Sequence, residues 1–189
     1  ERDPEHSARY AQRWRDLAAD GRDLDGEARF IDAMAERRSR ILDAGCGTGR
    51  VGGYLAERGH DVTLFASADA QTKARLVPVR DQAIRLDPAP LKSDLAAHLS
   101  MLGEVLDRAD EFDVIHFHTD MIHFPFFEGW ADKTVTTLHG RLDLKDLAPI
   151  YERWTEYGLV SISDDQRRPL PQANWRATVH HGMPGDLYR

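Results

Sequence analysis

The chain is 189 residues long, enough for one domain of ordinary size with a real core. Apolar residues make up 41% and charged residues 30%, the balance of a soluble globular protein, and no apolar run is long enough to cross a bilayer. A net charge of −7 with no basic patch argues against nucleic-acid binding. No basic-then-apolar signal segment opens the sequence, so a cytoplasmic location is expected, although the chain starts at Glu1 without Met and a leader could have been trimmed. The single cysteine, Cys46, rules out an internal disulfide and any Cys-based zinc cluster. Lysines are few (Lys73, Lys92, Lys133 and Lys145) against many arginines, a skew that fits a GC-rich genome.

Residues 5–19 carry Tyr10, Trp14 and Leu17 at helical spacing, which predicts an amphipathic first helix. A second helix is expected over about Glu27–Arg37, presenting Ala28, Phe30, Ile31 and Met34. Arg40–Ala44 reads as a short buried strand running into a glycine turn, Val51–Arg58 as a helix stopped by Gly59, and Asp61–Ala66 as the next strand. This is one βαβ unit of minimal length. The stretch from Ser67 to Asp94 is rich in Asp and Pro, with a short strand expected at Ala83–Leu86. Leu95–Ala109 is a clear helix, and strands follow at Phe112–His118, Thr134–Leu138, Leu159–Ile162 and Trp175–Val179. The alternation predicts an α/β fold: a single doubly wound, mostly parallel Rossmann-like sheet with helices on both faces. With no repeats and no long linker, residues 1–189 form one domain.

Asp43-Ala44-Gly45-Cys46-Gly47-Thr48-Gly49 joins the first strand to a helix, which places backbone N–H groups at the carboxyl edge of the sheet. Gly45 permits the tight turn, Gly47 allows close approach of a ligand, and Gly49 lets helix and strand pack closely. A ligand-free glycine turn is the competing reading, and the strand and helix on either side favour binding. Cys46 is a small turn residue rather than a nucleophile, since no base is near it in sequence.

Ile41 to Arg50 resembles the first motif of class I S-adenosylmethionine-dependent methyltransferases, and the resemblance runs from about Pro4 to Val62. It implies that Asp43, Gly45, Cys46, Gly47 and Gly49 contact the cofactor S-adenosylmethionine. Tyr10 and Trp14 are then lids over it, or equally well aromatics packing the first helix on the sheet. In that family the second strand ends in an acid that binds both ribose hydroxyls, and here that position is Ala66. Losing a charge-assisted pair of hydrogen bonds costs roughly 2–4 kcal/mol, about 30- to 1,000-fold in affinity, so weak binding is expected. Asp69, three residues on, is the nearest substitute.

The remainder is similar to another family. Gly59–Ser67, Phe112–His118, Thr136–Arg141, Val160–Asp164 and Val179–Gly182 resemble, in order and spacing, the acceptor domain of family-4 glycosyltransferases of the retaining B-fold class. That resemblance implies that His118 and the His139-Gly140-Arg141 turn line the acceptor side of a cleft. The chain ends about where a donor domain would begin, so no sugar transfer is expected from a single copy. His116, His118, His123, His139, His180 and His181 invite a metal reading. With no HExxH helix and the acids scattered in sequence, no metal is expected.

The two resemblances meet within Arg58–Val62. This implies a chimera, with residues 1–60 methyltransferase-like and 61–189 glycosyltransferase-like, engineered or recombined; the clean seam and the absent Met favour engineering. The expected function is a hybrid Rossmann domain with residual binding of S-adenosylmethionine or a nucleoside and no efficient catalysis. The alternatives are a methyltransferase using Asp69 or Asp87, a glycosyltransferase acceptor domain working with a separate donor domain, and a ligand-free scaffold. The expected partner is a small molecule, with no nucleic acid and no membrane; oligomeric state and catalytic residues are open.

Overall fold

The computed structural model describes residues 12, 16–17, 19–21, 23–47, 49–70, 72–86 and 94–180. Tyr10, Trp14, Thr48 and Asp87 therefore lie outside the described residues, as does most of the helix expected over 5–19, of which Asp16, Leu17 and Ala19 are helical.

The elements follow in the order α1 (Gly26–Met34), β1 (Arg40–Ala44), α2 (Arg50–Glu57), β2 (Asp61–Ser67) and β3 (Arg75–Arg80). They continue as α3 (Asp94–Asp107), β4 (Val114–Phe117), β5 (Thr134–Thr137), α4 (Ala148–Arg153), β6 (Gly158–Ser161), α5 (Asp164–Arg167) and β7 (Trp175–Thr178). All seven strands are parallel, in the order β3-β2-β1-β4-β5-β6-β7. This is the doubly wound arrangement the alternation predicted, and the chain reverses direction across the sheet between β1 and β4.

Alternation along each strand sorts side chains onto two faces. Ile41, Val62, Leu64, Val114, Val135 and Val160 pack under α1 and α2 against Ala28, Ile31, Val51 and Leu55. Leu42, Phe65, Ile115, Phe117, Leu138 and Leu159 pack on the other face against Met101, Leu102 and Val105 of α3 and against Phe124, Phe127 and Tyr157. Helix α1 buries Ala28 and Ile31 and packs Phe30 on the same core as expected; Glu27 is buried with them, and Met34 alone of the expected face is exposed.

Helix α2 ends as the sequence predicted. Gly59 has φ +91°, its N–H donates to the Ala56 carbonyl, and the His60 N–H donates to the Leu55 carbonyl. These two bonds satisfy carbonyls that the end of the helix leaves open, and the left-handed φ between them favours glycine.

The short strand expected at Ala83–Leu86 is corrected. Residues Ile84–Leu86 form a 3-10 turn, and the strand is Arg75–Arg80, at the sheet edge. Pro78 lies within it, opposite Ala66. An edge strand has one neighbour, so a residue lacking an N–H is tolerated there as it is not inside a sheet.

Candidate functional site

The carboxyl ends of β1, β2 and β3 open into a cleft of about 420 Å³. Gly45 and Gly47 form part of its wall, Phe65, Ala66 and Ser67 its floor, and Arg80, Asp94 and His98 bring polar groups to it. A β-carbon built on Gly47 would meet nothing within 4 Å, so this backbone is open to a ligand. Gly49 serves packing instead. Its φ is +74°, and a β-carbon there would come within 2.5 Å of Leu64 Cδ2. It seats the start of α2 against β2, as its place in the motif suggested.

Of the other residues in the turn, Asp43 is fully buried beneath the sheet edge and does not line the cleft. Cys46 packs partly buried against the α1/α2 core, where burial and the nearby Asp43 charge push its thiol well above the ordinary range. The thiolate is the reactive form, so the raised pKa disfavours it, and Cys46 does not line the cleft where a cofactor contact was expected of it. Asp69 does not line the cleft either; its carboxylate accepts from the Ala83 N–H at 2.9 Å and fastens the loop after β3. Ala66 is 7% exposed and presents a methyl group where the ribose acid was expected.

Beside the cleft, at the β1–β4 reversal, lies a cluster of ionisable groups. Alternation places Asp43 of β1, His116 of β4 and His118 just beyond it on the α1/α2 face. The β4 register sets His116 opposite Asp43. Asp43 Oδ1 lies 3.1 Å from His118 Nε2 and 3.2 Å from His116 Nδ1. Glu27, from the first turn of α1, reaches the same place: its Oε1 is 3.6 Å from His118 Nδ1 and 4.0 Å from His116 Nε2. Glu27 Oε2 is paired with Arg50 Nη2 at 2.9 Å, and Arg50 also donates to the Leu24 carbonyl. His139, after β5, brings its Nε2 to 3.0 Å from His118 Nδ1. Thr137 Oγ1 lies 2.9 Å from His116 Nε2.

The charges in this cluster hold one another. Burial favours a neutral Glu27, but His118, His116 and Arg50 outweigh it and bring the carboxyl down to about 2. Burial opposes ionisation of Asp43 as well, and the close approach of His116 and the hydrogen bond with His118 hold it well below the carboxylate range. For His118, burial disfavours the cation, yet the bond to Asp43 and the charges of Asp43 and Glu27 raise its pKa.

His118 and His139 meet, but neither they nor Gly140 and Arg141 line the cleft over β1, β2 and β3, where an acceptor wall was expected of them. Gly140 follows, its carbonyl accepting from Gln166 Nε2 at 2.8 Å, while Arg141 turns to solvent and pairs with Asp143. The expectation that the acids are scattered is corrected, since Glu27 and Asp43 converge on His116 and His118. His123 does not join them. It lies on the other face, stacked on Phe117 with Nε2 3.0 Å from Thr136 Oγ1, and burial lowers its pKa to about 3, so it is a neutral core residue. Sequence reasoning misses Glu27 because apolar spacing alone defines the helix that carries it. The available signal is its i, i+4 relation to buried Ile31.

A doubly wound parallel sheet with a crevice at the carboxyl ends of its strands defines a Rossmann-like domain. The family model for Glycosyltransferase Family 4 matches residues 48–175, more than half of the chain, and the chain belongs to that family. It is also similar to a solved TehB-like SAM-dependent methyltransferase from Corynebacterium glutamicum ATCC 13032 Kitasato, at 29% identity over 93% of this chain and 72% of that one. The TM-score of that pair is 0.33, too low to carry an argument. No curated protein matches the chain. Among the described residues, no helix is long and apolar enough to cross a membrane.

Proposed function

We propose that the cleft over β1, β2 and β3 receives a hydroxyl-bearing small molecule, the acceptor side of a glycosyl-transfer reaction, and that it takes S-adenosylmethionine only weakly. The observation that carries this reading is the floor of the cleft. Ala66 cannot accept a hydrogen bond from a ribose diol, while Ser67, Arg80, Asp94 and His98 supply polar groups suited to scattered hydroxyls. Membership of the glycosyltransferase family points the same way. The methyltransferase-like character of residues 1–60 belongs to this proposal as a graft: a strand-turn-helix that keeps the shape of a cofactor cradle within a host sheet of another family.

A second reading, methyl transfer, keeps one observation in its favour, the open space above Gly47. Ligand-observed NMR with a panel of hexoses, inositol and adenosine tests the first reading. Hydroxyl-bearing ligands should receive saturation transfer from the native chain and lose it with Gly47→Trp, whose indole fills the cleft. Equal signals from both proteins, or none from either, would contradict it.

A further inference from the structure

We propose that Glu27, His116 and His118 bind a divalent transition-metal cation of the zinc class, with His139 at its outer edge. One donor atom from each of Glu27, His116 and His118 lies within 4.8 Å of the others. Two imidazoles and one carboxylate form a donor set suited to zinc and its first-row neighbours.

The orientation of the rings carries the inference further. Asp43 Oδ1 is hydrogen-bonded to Nε2 of His118, which favours a proton on that nitrogen, and lies 3.2 Å from Nδ1 of His116 without a hydrogen bond to it. The opposite nitrogen of His118, Nδ1, then presents a lone pair toward Glu27 Oε1 at 3.6 Å, and His116 Nε2 lies 4.0 Å from the same oxygen. A carboxylate behind the histidine ligands is the usual outer support of a bound metal, fixing tautomer and ring orientation. Glu27 itself is 3% exposed, and its Oε1 has no hydrogen-bond partner. A buried carboxylate oxygen aimed at two ring nitrogens calls for a cation between them. Arg50 occupies the other oxygen, Oε2, and leaves Oε1 directed inward.

The ligand atoms need to close modestly. Zinc bonds of about 2.0–2.2 Å place tetrahedral donors roughly 3.3 Å apart, so small side-chain rotations of Glu27 and His116 suffice, with Thr137 releasing His116 Nε2. His139 is exposed, and its Nε2 beside His118 Nδ1 offers both an entry path and a fourth nitrogen.

The test uses the full chain freed of metal with a chelator, then titrated with Zn²⁺ by calorimetry and with Co²⁺ followed by its visible ligand-field absorption. One equivalent of each should bind, and the thermal midpoint should rise with Zn²⁺ concentration. His118→Asn and Glu27→Gln should abolish the Co²⁺ spectrum. Asp43→Asn should weaken Zn²⁺ binding about 10- to 100-fold through loss of the outer support. His139→Ala, at an exposed position, provides a variant that folds whatever the core substitutions do, and should blue- or red-shift the Co²⁺ bands. Absence of saturable binding by the native chain would overturn the proposal. So would stoichiometric binding whose Co²⁺ spectrum is unchanged in both His139→Ala and the folded core variants.

Discussion

Asp43 is the residue on which the polar cluster turns, because it is fully buried and one of its oxygens lies 3.1 Å from His118 Nε2 and 3.2 Å from His116 Nδ1. Its consequences for stability follow from linkage. Glu27 and Asp43 titrate below their ordinary values in the folded protein. Their contribution is therefore present above an ordinary carboxylate pKa of about 4 and is lost as pH falls toward 2. His118 is raised, so its contribution is complete below about 6.5 and is lost as pH rises through the folded value. Urea midpoints of the metal-free protein should accordingly peak between about pH 4.5 and 6.5. Asp43→Asn should lower the peak by about 1–3 kcal/mol and flatten the alkaline side. A flat profile for the native chain from about pH 4 to 8 would contradict this assignment. None of this was legible in the sequence beyond the shared strand face of His116 and His118. Glu27 comes from a separate helix, and which turn of α1 faces the sheet depends on tertiary packing.

Among the elements, the first strand-turn-helix shows how closely a short motif dictates geometry. Gly49 combines a left-handed φ with the approach of Leu64, so Gly49→Ala should destabilise by about 2 kcal/mol or more. Gly53, in the same helix, has open space and no positive φ, and Gly53→Ala should stabilise by about 0.5–1 kcal/mol. Chemical denaturation of the pair measures both signs, and a loss at Gly53 equal to that at Gly49 would refute the distinction. On the opposite face Phe124 is fully buried and stacked on Tyr157 at 4.3 Å, so Phe124→Ala should cost about 3–5 kcal/mol. The interior strands were legible because a parallel strand buried on both faces reads as an unbroken apolar run. Arg75–Arg80 was not, because charged ends and Pro78 disguise an edge strand that needs only one neighbour. Arg141 shows the same limit at the site: a motif places it beside His139, but its ion pair with Asp143 carries it into solvent.

Across the whole molecule, the segments that resemble different families share one sheet. β1 runs parallel to β2 over five residue pairs from Arg40–Asp61 to Ala44–Phe65, and to β4 over four from Ile41–Val114 to Ala44–Phe117. The core beneath α1 and α2 mixes Ile41, Val51 and Leu55 with Val114, Val135 and Val160. Neither part closes its core alone, so unfolding should be one cooperative event. Far-ultraviolet circular dichroism, which reports the whole sheet, should melt together with the fluorescence of Trp130, Trp154 and Trp175, which adjoin the α3-side core. Separate midpoints would mean that the two parts are independent.

The proposed reading of the cleft turns on the end of β2, where Ala66 stands. Calorimetric titration of S-adenosylmethionine into the native chain and into Ala66→Asp tests this most directly. The native chain should bind it no more tightly than about 100 µM, and the new carboxylate should tighten binding about 30-fold or more. Sub-micromolar binding by the native chain, with no gain in Ala66→Asp, would contradict an acceptor cleft and make the glycine turn a working cofactor site.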